Sequence, residues 1–381
     1  MARTLILGAG FGGIAAAVEL ERLLGDEHEV VLVDRNEHFS MGLRKLWELV
    51  GHATIADGSR SRDTLRERGI RVVRDEIGAI DPGARAATVG GETIEADHLL
   101  VALGAVSRPD LVEGLAEHGH DVWSTAGVPG AARALADFEN GRILVLIAGA
   151  PYPCPPAPFE CVMHVDEHLR ARGIRGRAEL FVATVQPMLM PNAGAEGSAW
   201  MAEQLTARDI GFHVGSKLER VGPGVVALAD SELGFDLLLA VPPHRAPEVV
   251  RQSGLTAESG WIAVDPGAFT TEHAGVFAIG DVTQIRLANG LPLPKAGVIA
   301  ELEGMRVAAA IAAQLRGGPE PPAFDGSAAC YIEMGPSSAA RVDAEFYATP
   351  APLVSIVEPD AANAAEKRRF ETERLERWFG G

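Results

Sequence analysis

Cys154 is the residue whose surroundings promise chemistry. An apolar strand, Arg142 to Ile147, runs into Gly149-Ala150-Pro151-Tyr152-Pro153-Cys154-Pro155-Pro156. After such a strand, a dinucleotide-binding domain carries a glycine-rich turn, where a pyrophosphate approaches free backbone N–H groups at a helix N-terminus. Here Pro151, Pro153, Pro155 and Pro156 each lack that donor. NADH is therefore not expected at this position. A thiol in a stiff, proline-bracketed loop takes its place, which points toward flavin and sulfur chemistry.

A nucleotide site is expected earlier in the chain. Gly8, Gly10 and Gly13 form G-x-G-x-x-G directly after the strand Arg3 to Leu7, and Asp34 ends the next strand. The glycines allow a tight turn and close pyrophosphate approach, the following helix offers its N–H groups, and the carboxylate suits ribose hydroxyls. That fingerprint alone serves NAD and FAD equally. The choice of FAD rests on Thr270 to Asp281, a strand ending in Gly280-Asp281, which resembles the second FAD motif of flavoproteins with two dinucleotide domains. Val101 to Ala105, with Gly104 at its turn, looks like the intermediate motif of the same superfamily.

These residues need a framework to hold them. The chain has 381 residues, 47% hydrophobic and 23% charged, enough for a large core shared among two or three domains. Strand, helix, strand over Arg3–Asp34 and a meander ending in Leu99–Leu103 are followed by a second α/β unit. That unit includes a helix from about Ala157 to Arg172 and the strand Ala178 to Val185. The chain returns through Trp261–Val264 and Val276–Ile279, both read as strands, to an alanine-rich helix, about Gly297 to Leu315. Past the linker Gly317–Pro322 come three strands and a charged terminal helix. The fold class is α/β, with two Rossmann-like dinucleotide-binding domains plus a small C-terminal α+β domain. Residues 1–108 and 236–316 form the FAD-binding domain, 109–235 a second Rossmann-like domain without the NAD glycine motif, and 317–381 the C-terminal domain.

The formal net charge of −18 opposes binding to nucleic acid. No apolar stretch reaches the roughly 18 to 20 residues that span a bilayer, and the first strand begins too soon after Met1 for a secretory leader. The expected location is cytoplasmic. Three cysteines are too few for a disulfide scaffold. His164, Glu167 and His168 share a helix but offer no converging ligand set, so no metal is expected.

Cys154-Pro155-Pro156-Ala157-Pro158-Phe159-Glu160 and Ala329-Cys330-Tyr331 resemble the two cysteine motifs of the sulfide:quinone oxidoreductase and flavocytochrome c sulfide dehydrogenase family, and the similarity runs through nearly the whole chain. The resemblance implies non-covalent FAD and a redox pair of Cys154 and Cys330. Hydrosulfide would attack their disulfide, leaving a persulfide on one sulfur and a thiolate on the other. It implies that Pro294-Lys295-Ala296-Gly297 approaches the flavin ring, where the Lys295 ammonium and a helix N-terminus at Ala296 would stabilise reduced flavin. Glu160 matches a family glutamate that could relay protons to a quinone. It equally suits a first-turn glutamate favoured by the helix dipole. Cys161, seven residues after Cys154, reads more readily as a buried apolar residue.

The pattern has gaps. Quinone-linked members usually carry a third reactive cysteine upstream of the proline loop, and this chain has none there. The acceptor therefore stays open between a quinone and a cytochrome. The terminal helix, Lys367 to Phe379, suits docking on its own protein better than peripheral contact with a membrane surface, and self-association into a homo-oligomer is left open. The rivals are a type II NADH:quinone dehydrogenase-like flavoenzyme and a redox-sensing flavoprotein that does not turn over.

Overall fold

The computed structural model describes residues 1–380 and contains two parallel five-stranded sheets. In the first, Ala2–Leu7 lies between His28–Val33 and His98–Val101, with Arg71–Val73 and Val276–Ala278 at the edges. Its strands are nearly continuous apolar runs because helices or sheets cover both faces. In the second, Gly141–Ile147 lies between Ala178–Thr184 and Leu237–Val241, flanked by Ile210–Val214 and His120–Asp121. These are the two Rossmann-like units.

Leu237–Val241 pairs with Ile143–Ile147 across five residues. The second unit therefore extends through Val241, and the boundary expected at 235/236 moves past it. Trp261–Val264 is not a strand. The turn at Gly260, with φ +79°, and the Asp265 turn, whose carboxylate accepts from the N–H groups of Gly267 and Ala268, leave room only for single bridges at Ile262.

The glycine-turn helix, Phe11–Leu24, crosses the long helix Gly297–Arg316 at backbone contact. A Cβ on Gly304 would sit 2.3 Å from the Gly12 carbonyl oxygen. Small residues at this crossing bring two helix N-termini to one end of the first unit.

Ser327–Gly335, Ser338–Glu345 and Leu353–Asp360 form an antiparallel sheet, and its Ile332 and Met334 join the core around Phe159 and Val162 of the cysteine-loop helix, Ala157–Ala171. Sheet packing thus carries Cys330 toward Cys154. The terminal helix, Ala361–Phe379, packs back onto the first unit. Trp378 meets Phe11 and Phe39 edge-on at 5.5 and 5.6 Å, Arg44 grips Glu371 through two hydrogen bonds of 2.5 and 2.8 Å, and Glu301 accepts from Arg374 and Arg377. Among the described residues, no helix is long and apolar enough to cross a membrane.

Candidate functional site

The glycine turn opens a cavity of about 1350 Å³ that runs on to Cys154, Cys330 and Phe370. At Gly8, with φ +102°, a Cβ would lie 2.4 Å from the Ala102 oxygen, and at Gly13 it would lie 1.9 Å from the Gly8 oxygen. Those two glycines let strand, turn and helix close on each other. Gly10 differs: nothing lies within 4 Å of where its Cβ would be, and it lines the cavity. As the helix N-cap it brings no side chain to the first-turn N–H groups. Donors and space fit a pyrophosphate, and the volume exceeds the roughly 300 to 1,000 Å³ of an ordinary ligand pocket, as an extended dinucleotide requires. Gly13→Ala is accordingly expected to yield folded protein with less than about a tenth of wild-type flavin, read as the visible flavin absorbance per chain after purification.

Asp34 occupies the end of the second strand, but its carboxylate accepts from the N–H groups of Ala9 and Asn36 at 2.9 and 2.8 Å. In this geometry it holds the glycine turn, and the wall beyond it comes from Arg35, Asn36 and Glu37. Sequence reasoning missed Arg62, a buried guanidinium that donates to the Ala9 carbonyl at 2.9 and 3.0 Å and lies 3.6 Å from Asp34. It borders the cavity where anionic phosphates would approach. Gly104 and Gly280 both take positive φ, +64° and +70°, and turn the chain at the ends of their strands. The Gly280 N–H donates 2.6 Å to buried Glu303, whose carboxyl burial pushes up to about 8. Asp281 borders the cavity, and its carboxyl is raised by burial despite Lys295 and Lys45 nearby.

Lys295 does not face the cavity as the resemblance implied. Its ammonium donates to the carbonyls of Asp281 and Thr283 at 2.6 and 2.8 Å and sits 3.6 Å from the centre of the Trp261 ring. Burial holds it down at about 8 although Asp281 and Glu303 pull it up. What Lys295 contributes to the site is backbone: its carbonyl accepts from the Cys154 N–H at 2.5 Å. Ala296, Gly297 and Val298 line the cavity and bring a second helix N-terminus to it. A lysine that does line the cavity near Cys154 is Lys45, which donates to the Trp123 carbonyl at 2.6 Å. Burial pushes it below the usual lysine range, with Asp121, Cys154 and Asp281 opposing.

Cys154 has φ +54°, a left-handed conformation unusual for a side-chain-bearing residue. Two backbone bonds hold it there: its N–H to Lys295, and its carbonyl accepting from Ala157 at 3.0 Å. The proline bracket and these bonds present its thiol to the cavity, which Cys330 also lines. Both thiols are pushed up to about 12, chiefly by burial and next by the Glu160 carboxylate, with Lys367 pulling the other way. Cys161 lies fully buried in the core and does not line the cavity. Glu160 does line it. Its carboxylate accepts from the Glu333 N–H at 2.6 Å and contacts the Lys367 ammonium directly.

Two charged residues at this end of the cavity, Lys367 on its wall and Glu333 behind it, escaped the sequence reading. Lys367 lies between Glu160 and Glu333, 3.5 Å from the latter, and the two carboxylates raise it above the usual lysine range. Glu333 also accepts from Trp47 at 3.0 and 3.2 Å and from His164 at 2.9 Å. Burial pushes its carboxyl up, but Lys367 and His164 outweigh that and hold it down. Glu333 follows Cys330 by three positions on a strand, and no local pattern distinguished it from an outward-facing glutamate.

Comparison with known proteins decides the family. The model for pyridine nucleotide-disulphide oxidoreductases matches residues 2–312. The chain belongs to this family. It is an FAD-binding flavoprotein and an oxidoreductase. The mouse mitochondrial sulfide:quinone oxidoreductase is 26% identical over 74% of this chain, which in turn spans 65% of that protein, just under two thirds. The sulfide-quinone reductase of Aquifex aeolicus is 26% identical over 87% of this chain and 81% of its own length. The X-ray structure of the A. aeolicus sulfide:quinone oxidoreductase superposes with a TM-score of 0.91 at 22% identity, covering all of this chain and 92% of that one. A type II NADH:quinone oxidoreductase of Staphylococcus aureus is 22% identical over 83% of both chains.

Proposed function

We propose that the protein oxidises sulfide, or a closely related sulfur nucleophile, through Cys154 and Cys330 and passes the electrons through FAD to a quinone. The observation that carries this reading is the opening of both cysteines, from separate segments, into the cavity that begins at the FAD glycine turn. Hydrosulfide attacks a Cys154–Cys330 disulfide: one sulfur–sulfur bond forms to the incoming atom, the original bond breaks, and the displaced cysteine leaves as a thiolate. Joining persulfide and thiolate into a trisulfide releases two electrons and one proton. Bound FAD supplies the two-electron acceptor for that step. Lys367, within electrostatic reach of both sulfurs, favours the thiolate that burial and Glu160 oppose.

A quinone suits the far end of the cavity. Ile332, Phe346 and Phe370 give it apolar walls, and the Glu160–Lys367 pair stands beside them. Reducing a quinone consumes two protons with the two electrons, and a carboxyl paired with an ammonium can hand over and recover a proton. Anaerobic titration with sulfide tests the reading. The flavin should bleach stoichiometrically and regain its colour on addition of decylubiquinone. Bleaching without recovery by decylubiquinone, but with recovery by a cytochrome c, would move the acceptor to a haem protein. No bleaching by sulfide sinks the proposal.

NADH should fail to bleach the flavin at a comparable rate. The loop after Gly141–Ile147 is occupied by the prolines around Cys154, and Gly149 is packed so that a Cβ would meet Pro243 at 2.9 Å. Stopped-flow mixing with 1 mM NADH, on the order of a high physiological level, is expected to give less than about a hundredth of the sulfide rate. A faster NADH reaction favours the type II dehydrogenase reading.

A further inference from the structure

We propose that Glu333, His164 and His52 form a proton conduit from the Glu160–Lys367 end of the cavity to solvent. The inference rests on the functional reading above, because reduction of a quinone there requires two protons, and the Glu160 and Lys367 side chains that would pass them are themselves buried. Glu160 is joined to the Glu333 backbone, and Lys367 touches the first carboxylate and lies 3.5 Å from the second. His164 Nε2–H donates to Glu333 at 2.9 Å while its ring is wholly buried. Its Nδ1 is also buried and meets no partner in the protein. The His52 ring stands edge-to-face against the His164 ring at 5.9 Å between centroids and 77° between planes, so the two imidazoles are direct neighbours. His52 is exposed at the surface.

The order of groups is therefore carboxylate, ammonium, carboxylate, buried imidazole, exposed imidazole. A purely structural Glu333 has enough partners in Trp47 and Lys367. A buried histidine with one free nitrogen, placed between that carboxylate and a surface histidine, has the form of a relay: it accepts a proton at one nitrogen as it releases one at the other. The groups facing it are few. Trp47 bonds Glu333, and His168 lies near His52 with Arg172 on its own flank and its Nδ1 held on the Val50 carbonyl. Glu160 meets Lys367, and beyond them lie the two cavity cysteines. When an acceptor oxygen takes a proton from Glu160, replacement passes from His52 through His164, Glu333 and Lys367. Two such transfers balance the two electrons delivered to a quinone.

The test separates the two halves of the reaction in the FAD-loaded, full-length protein carrying His164→Asn or His52→Asn. Flavin bleaching by sulfide should stay within about twofold of wild type. Recolouring of the reduced flavin by decylubiquinone should slow about tenfold or more above pH 7, with unchanged KM for decylubiquinone and an enlarged solvent deuterium isotope effect, and free imidazole should restore much of the rate in His52→Asn. A readout without turnover follows the His52 titration by NMR. Glu333→Gln should lower its midpoint by roughly half a pH unit, since the negative charge that favours the imidazolium is removed. Wild-type recolouring rates in both histidine variants, or a His52 midpoint indifferent to Glu333→Gln, would overturn the conduit. If wild-type protein ignores sulfide, the functional reading fails, while the titration still decides whether the chain of groups is coupled. His52→Asn changes only an exposed side chain, so loss of folding cannot hide the result.

Discussion

Cys154→Ser and Cys330→Ser are each expected to reduce sulfide-driven flavin bleaching by at least about a thousandfold, while leaving flavin content and slow reduction by dithionite unchanged. Serine keeps the shape of the loop and strand but cannot form the sulfur–sulfur bond that the proposed reaction starts from. Serine is also unable to supply a thiolate as leaving group, so no partial route remains. The two variants should be equally silent toward sulfide. The surviving cysteine in either case faces the cavity with its thiol pushed up to about 12, so neither variant should react quickly with iodoacetamide at pH 7. Sulfide bleaching at more than about a tenth of the wild-type rate in either variant would remove that cysteine from the mechanism. Cys161→Ser offers a contrast. Its thiol lies in the core and off the cavity, so it should cost some stability and leave the bleaching rate alone.

Lys367→Met is expected to destabilise the fold by about 3–5 kcal/mol, the range for removing one partner from a buried ion pair, read from urea unfolding at pH 7.5. The substitution leaves Glu160 and Glu333, both nearly inaccessible to solvent, without their shared cation. The pH dependence has a definite sign. The Glu333 carboxyl is held below its ordinary 4.5 in the folded protein, so its contribution is complete above that value and fades as pH falls below it. Lys367 is held above its ordinary 10.5, so its contribution is complete below that value and fades in stronger alkali. The gap between wild type and Lys367→Met should therefore be widest from about pH 5 to 10 and narrow in acid, where protonated carboxyls no longer need a cation. A gap that is flat from pH 8 down to about 2 would mean the lysine acts only through its aliphatic stem. In the same variant, recolouring of reduced flavin by decylubiquinone should slow more than bleaching by sulfide.

Much of this arrangement could be read along the chain, for reasons that differ from residue to residue. Strand, turn and helix around Gly8, Gly10 and Gly13 are fixed locally: the turn needs glycine where any Cβ would strike the Gly8 or Ala102 carbonyl. The proline bracket of Cys154 is also local, and it announces a special backbone before any fold is known. Lys295 misled because its neighbours in sequence fix where its backbone goes but not its ammonium. Trp261 and the Asp281 and Thr283 carbonyls, which capture the side chain, are brought to it by folding. Glu333, Lys367, Lys45 and Arg62 were invisible for the same reason. Each is an ordinary charged residue on an ordinary element, and its importance comes from partners up to 207 positions away. The unit boundary slipped because Leu237–Val241 reads as a generic buried strand, and its sheet is settled only by which edge is vacant.

The helix that ends the described chain has a consequence for the order of assembly. It delivers Lys367 to the two carboxylates and is itself clamped by Arg44 and Glu301 on the first unit. During synthesis, the sheets can form while this segment is still inside the ribosome, but the pocket then holds two facing glutamates and no counter-charge. The pocket is thus completed after the sheets, because its counter-charge arrives on a helix that follows every one of their strands, and releasing the Arg44 and Glu301 clamps would unlatch that helix and return the pocket to its unfinished condition.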